Sequence, residues 1–145
     1  MGTDLKKEKK TRLVVPAEAK YLPRVRDFAE EYGKSHGFTR KIINGLKVSL
    51  DEICSNIVLY AYRGAPPGHI SIEIEKEDSA VIVHIVDEGI EFDFDSVREP
   101  DLEQYVEQRL KGGLGLHLVK SINDEVRYER VGGKNIYTLM KNLES

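Results

Sequence analysis

The chain has 145 residues, 40% of them hydrophobic and 32% charged, with a formal net charge of −3. That length suits one domain with a sizeable core, and the balance is that of an ordinary globular protein. The slight acidic excess argues against general nucleic-acid binding, the single cysteine (Cys54) excludes an intrachain disulfide and suits a reducing cytoplasm, and no apolar run nears the roughly 20 residues that span a bilayer.

Residues 1–11 are basic but lead into no apolar stretch, so they read as a flexible, solvated lead-in to a domain over 12–145 rather than a secretory signal. Arg12 to Val15, a β-branched run stopped by Pro16, predicts a first strand. From Ala17 to Ser35, Tyr21, Val25, Phe28 and Tyr32 recur at helical spacing; Pro23 belongs near the start of that helix, Gly33 and Gly37 near its end. Thr39 suits the N-cap of a second helix, along which Ile42, Leu46, Leu50, Ile53, Ile57 and Tyr60 lay one apolar stripe. Gly64 to Gly68, with Pro66 and Pro67 between, ends that helix in a loop. His69 to Glu75 sets Ile70, Ile72 and Ile74 against Ser71, Glu73 and Glu75, the pattern of a half-buried strand. A turn at Glu77-Asp78-Ser79 leads to Ala80–Val86, whose nearly continuous apolar run suits a central strand covered on both faces or nearly so. His84 within it reads as a core or sheet-face residue rather than a ligand. From Asp87 to Gly113 the periodicity collapses, and connections this long are usually functional or mobile. Leu114 to Ile122 is helical again, and Glu125–Arg130 and Asn135–Lys141 are strands joined at Gly132-Gly133. The order β-α-α-β-β-loop-α-β-β predicts an α/β (α+β) two-layer sandwich: a mixed, mostly antiparallel sheet with helices on one face.

Three clusters are suited to chemistry. Glu52 and Asn56, one helical turn apart, share a face at the edge of the apolar stripe. A carboxylate and an amide oxygen are hard ligands for Mg²⁺, and the carboxylate can accept a proton from a hydroxyl. Asp87-Glu88-Gly89 follows the apolar strand and runs on to Phe92-Asp93. An aspartate there can accept from an exocyclic amine, and a glycine beside it lets a flat ring approach the backbone. Gly112-Gly113-Leu114-Gly115-Leu116 opens a helix, where free N–H groups and the helix dipole favour phosphate. It is neither a Walker A loop nor a dinucleotide fingerprint. Singly, these clusters read equally as a polar helix edge, a turn and a hinge.

In this order and spacing they resemble the boxes of the GHKL (Bergerat-fold) ATPases: gyrase-type topoisomerases, heat-shock-90 chaperones, histidine kinases and MutL-type repair proteins. Glu52-Ile53-Cys54-Ser55-Asn56 is similar to the N box, Asp87-Glu88-Gly89 through Phe92-Asp93 to the G1 box, and Gly112 to Leu116 to the G2 box. The compact length, Asn56-x-x-x-Tyr60-Ala61-Tyr62, the Gly112–Val119 segment and the tail from Asp124-Glu125-Val126 through Asn135-Ile136 to Lys141 resemble the anti-sigma-factor serine/threonine-protein kinases, over about Leu13 to Lys141.

That resemblance implies ATP and Mg²⁺ as ligands. Asn56 would hold Mg²⁺ on the phosphates, and Glu52 would be the general base. Asp87 would accept from adenine N6, with Gly89 beneath the ring and Phe92 in the same box. Gly113, Leu114, Gly115 and Leu116 would present backbone N–H groups to the phosphates. Residues 94–111 would be the lid, with Arg109 or Lys111 reaching the γ-phosphate. It further implies a cytoplasmic homodimer, with Arg12–Val15 in the dimer face, that sequesters a sigma factor and phosphorylates a STAS-domain anti-anti-sigma protein, with no direct contact with nucleic acid or membrane. Two positions depart from the pattern: Tyr60 stands where a His is common, and Asn135, with Thr138 three residues on, stands where a Thr is common. A non-catalytic ATP-binding module is the alternative, against which the intact Glu52 speaks. The other is a detached histidine-kinase-type ATPase domain, against which the lack of a preceding dimerisation helix speaks.

Overall fold

The computed structural model describes residues 10–62, 68–91 and 115–144, apart from the Lys10 side chain. Strand β1 (Lys10–Pro16) leads through a 3₁₀ turn at Ala19–Tyr21 into helix α1 (Leu22–Ser35), whose Pro23 sits in the first turn, where no N–H is needed. Gly37 ends the connection with φ of 71°. Gly33 does something other than end the helix: a Cβ there would lie 2.4 Å from Ile43 Cγ1, so its bareness lets α1 close on the next helix. That helix, α2 (Arg40–Asn56), starts where expected, Thr39 Oγ1 accepting from Ile42 N at 3.2 Å. Glu30 on α1 binds Arg40 at 2.7 Å and Lys47 at 3.0 Å, tying the two helices together. The two cations hold its carboxyl far below the usual carboxylate range. Past Asn56, α2 widens into a π-helical turn over Ile57–Ala61.

Strands β2 (His69–Glu77) and β3 (Ala80–Asp87) form a hairpin around Asp78, which takes φ of 54°. Helix α3 (Gly115–Ile122) precedes a second hairpin, β4 (Glu125–Val131) and β5 (Lys134–Asn142). Its two-residue turn, Gly132-Gly133, has φ of 56° and 78°, the primed geometry that matches strand twist. The sheet order is β1-β2-β3-β5-β4 and every pairing is antiparallel. The expected mixed character is therefore absent among the described residues. Two pairs are hairpins, and β1 and β5 reach their partners over intervening elements that reverse the chain.

Ile70, Ile72, Ile74, Val83, Ile85 and Leu139 lie on one face, buried under Val25, Leu50, Ile53, Ile57 and Val119 of the helices. The other face is only half-covered at Ile82, His84 and Val86, so β3 is packed on one side, not both. His84 is a sheet-face residue, its Nδ1 3.1 Å from Thr138 Oγ1 on the neighbouring strand. No helix among the described residues is long and apolar enough to cross a membrane.

The last residues of α2 and β3 and the first of β5 converge at one end of the sandwich. At the other end, Asn123 Nδ2 donates to Ser49 Oγ at 2.9 Å and Ile122 packs against Gly45. These contacts anchor the C-terminal end of α3 beside the first half of α2.

Candidate functional site

The convergence centres on Asp87, the last residue of β3, which is 1% exposed. Its Oδ1 accepts two N–H groups, from Gly89 N and from Asn135 Nδ2, each at 2.8 Å. Its Oδ2 is buried and has no hydrogen-bond partner among the described residues. Burial pushes the carboxyl above its ordinary pKa, against the pull of Asn135, the Gly89 N–H and Arg130. A buried acceptor without a donor costs about 1–3 kcal/mol, more when charged. A ligand that donates one hydrogen bond recovers that cost.

Cross-strand register brings Asn135 opposite Asp87 on one side and opposite Arg130 on the other. The second Asn135 N–H goes to Ile90 O at 2.7 Å, and its Oδ1 accepts from Tyr128 OH and from Arg130 at 3.1 Å. Arg130 also donates to Gly89 O at 2.6 Å. Tyr62 OH accepts from Glu88 N at 2.8 Å and donates to His69 O at 2.9 Å. The loop after β3 is therefore held from β5, β4 and the end of α2.

The π-helical turn supplies the facing wall. Such turns cost helix regularity and concentrate at functional sites. Here Ala61 O accepts from Ile90 N at 2.7 Å. A Cβ on Gly89 would sit 2.1 Å from that same oxygen, so Gly89 is required by loop-on-helix packing, a different reason from the ring contact expected of it. Asn56, Tyr60 and Ala61 face Ile90, Asn135 and Tyr137 across a slot of about 80 Å³. It takes a ring edge rather than a whole ligand, since small-molecule sites start near ~300 Å³. Larger cavities exist among the described residues, two of them of the size of small-molecule sites. One of about 350 Å³ lies between α2, α3 and the sheet near Lys41, and one of about 530 Å³ lies on the open sheet face near Arg12. Asn56 lines the slot and neither of these cavities, whereas Asp87 lines the sheet-face cavity and meets the slot through Asn135.

Residues 15–141 match the family described as the histidine kinase-like ATPase domain. The chain belongs to that family. It is 34% identical over 127 residues to the serine-protein kinase RsbW of Bacillus subtilis (strain 168), across 84% of this chain and 79% of that protein. To RsbW of Bacillus cereus (strain AH820) it is 29% identical over 122 residues, across 81% and 76%. Among solved structures it is similar to the RsbU and RsbW domains of Rv1364c from Mycobacterium tuberculosis, with TM-score 0.69 and 17% identity over 92% of this chain and 32% of that one. It is also similar to the SiaB–SiaC complex of Pseudomonas aeruginosa, with TM-score 0.62 and 15% identity over 97% and 95%. Both structural likenesses speak for the shared fold.

Within this ATPase-family fold, Asn56 (8% exposed) lines the slot, and Glu52 is half-buried one turn earlier on α2. Asp87 is joined to the slot by its bond to Asn135, and Gly89 packs on Ala61. Gly115 and Leu116 open α3, and the Leu116 side chain is in the core. Phe92, Arg109, Lys111, Gly113 and Leu114, with the lid over 94–111, lie outside the described residues. Among the described residues no group of three or more His, Cys, Asp or Glu forms a metal cage. Asn135, Tyr128, Arg130 and Tyr62 are the site residues that motif reading passes over. Asn135 and Tyr60 stood out only as departures from a pattern. The signal that assigns Asn135 is register, because a residue paired with a functional strand end shares its surroundings.

Proposed function

We propose that this chain is an ATP-dependent serine/threonine-protein kinase that works as a bacterial anti-sigma factor, sequestering a sigma factor and phosphorylating a STAS-domain anti-anti-sigma protein. The observation that carries the ATP reading is the buried Asp87 Oδ2, without a hydrogen-bond partner among the described residues, on a carboxylate whose other oxygen is held by Asn135 of the ring-sized slot. The exocyclic amine of adenine is the donor that oxygen lacks. Asn56, at the slot's rim, offers an amide oxygen to Mg²⁺, which would neutralise phosphate charge during transfer. Glu52 is the general base for the incoming hydroxyl. The N–H groups opening α3 receive phosphate oxygens. Arg109 or Lys111 complete the charge balance from the lid. The serine-kinase names of the relatives, at up to 34% identity, support protein serine as the acceptor. A structural neighbour solved as a complex with a second protein supports partner exchange on this fold. Phosphorylating the antagonist puts charge on its docking surface and releases it, and the kinase returns to the sigma factor. The protein works as a homodimer in the cytoplasm, where ATP and sigma factors reside.

The test is transfer from radiolabelled ATP, with Mg²⁺, to a serine of a STAS-domain partner. Label is expected with the native protein and absent with Glu52→Gln, which retains ATP binding. Tight ATP binding with no transfer to any such partner overturns the kinase reading. Unchanged Mg-ATP affinity in Asn56→Ala overturns the site.

A further inference from the structure

We infer that Tyr128 and Arg130, through Asn135, set the nucleobase selectivity of this site by fixing which oxygen of Asp87 is left to the ligand. The inference rests on the ATP reading above and adds positioning residues that none of the three sequence boxes contains.

The argument is a count of donors and acceptors. An asparagine amide offers two N–H donors and two lone pairs on its oxygen. On Asn135 all four are used: the N–H groups go to Asp87 Oδ1 and Ile90 O, and the oxygen accepts from Tyr128 OH and Arg130. Turning the amide over would set its oxygen against two acceptors and its NH₂ against two donors. The orientation is therefore dictated by β4, which supplies both donors to the oxygen. The consequence passes to Asp87. Oδ1 is filled by Asn135 and by Gly89 N, so among the described residues the acceptor left without a donor is Oδ2, buried and held in place by the same contacts.

An acceptor that the protein cannot satisfy makes a demanding filter. A 6-amino purine donates to it. A 6-oxo purine presents a carbonyl oxygen to a carboxylate oxygen, and the buried group stays unpaired beside it. Sites built on a buried hydrogen-bonding group reject the analogue that lacks the complement far more strongly than apolar pockets reject a size change. Arg130 contributes twice, since its bond to Gly89 O also holds the loop carrying the Oδ1 donor. Arg130 is itself exposed and Tyr128 half-buried, so both can be changed without opening the core.

The experiment compares ATP and ITP binding by calorimetry, with Mg²⁺, in the full chain. ITP differs from ATP in its 6-oxo group and in the proton this places on N1. The native protein is expected to prefer ATP by at least about a hundredfold. Tyr128→Phe and Arg130→Leu together are expected to cut that preference about tenfold or more, through weaker ATP binding. Phosphotransfer kcat at saturating ATP is expected to hold, so the loss appears in KM. Asn135→Asp is the sharper variant, because it keeps the shape and sets a second carboxylate against Asp87. Its ATP affinity is expected to recover about tenfold or more from pH 8 to pH 5.5, as one proton comes to be shared between the pair. The native protein sets the baseline for the nucleotide's own titration. Native ATP preference in the Tyr128/Arg130 variant, or an Asn135→Asp protein whose affinity follows the native pH profile, overturns the inference. A native protein that does not distinguish ATP from ITP overturns the ATP reading itself and this inference with it.

Discussion

Replacing Asp87 by Asn is expected to move ligand affinity and bare stability in opposite directions. In the native protein one carboxylate oxygen has two donors at 2.8 Å and the other has none among the described residues. In Asp87→Asn the amide oxygen keeps both donors, and the NH₂ takes the place of the open Oδ2. The ligand amine then meets a donor instead of an acceptor. A hydrogen bond to a charged group contributes about 1.5–3 kcal/mol, and each 1.4 kcal/mol is about tenfold, so ATP affinity should fall about ten- to a hundredfold or more. The bare protein loses a buried charge whose proton affinity burial has already raised, so its melting temperature should hold or rise by a few degrees. The pH dependence follows. Because the folded-state pKa lies above the ordinary 3.8, folded protein binds that proton more tightly than the unfolded chain does. This group's contribution to stability therefore declines as pH rises from about 3.8 through the folded value, and is level above it. ATP affinity rises over the same window, since the acceptor must be ionised. Thermal melts with and without ATP read both quantities. ATP at about a hundred times Kd stabilises the native protein by about 2.7 kcal/mol, or about 5–10 °C for a chain of this size. A hundredfold loss leaves about 1 °C. An Asp87→Asn protein that keeps the full ATP shift, or that melts far below the native protein without ATP, refutes the reasoning.

Gly89→Ala forces a methyl to within 2.1 Å of Ala61 O, so the loop must leave the helix end; a stability loss of about 1–3 kcal/mol with loss of ATP binding is expected from denaturant titration and calorimetry. Glu30→Gln removes the anion that Arg40 and Lys47 share. Because that carboxyl titrates far below its ordinary 4.5, its contribution is present above that value and lost as pH falls. Melts from pH 8 down to about pH 2 should therefore show a lower plateau and a flatter acid limb in the variant, an effect that high salt shrinks. Thr39→Ala removes the side-chain acceptor from Ile42 N and should cost about 1 kcal/mol in urea unfolding, with ATP affinity unchanged because the cap is at the far end of α2 from Asn56.

Local pattern determined most of the fold. The alternation of Ile70, Ile72 and Ile74, the stripe from Ile42 to Ile57, the Thr39 cap and the Gly132-Gly133 turn all depend on neighbours within a few residues, so their elements appear where the sequence puts them. Spacing likewise placed Asn56 and Asp87, because motif residues sit at fixed offsets on one helix and at one strand end. What the sequence left open depends on partners distant in the chain. The wholly antiparallel sheet, the one-sided packing of β3, the burial of Gly33 against Ile43 and of Gly89 against Ala61 are matters of which surfaces meet. The π-helical turn after Asn56 belongs with them, since its Ala61 carbonyl serves a loop nearly thirty residues on. Above all, Asn135 lies 48 residues from Asp87 in the chain, and only strand register makes them neighbours. The sequence alone identified an aspartate suited to adenine. The tertiary structure decided which of its oxygens lacks a donor among the described residues, because the donors that occupy the other oxygen, and those that orient Asn135, come from the neighbouring strands and the loop after β3.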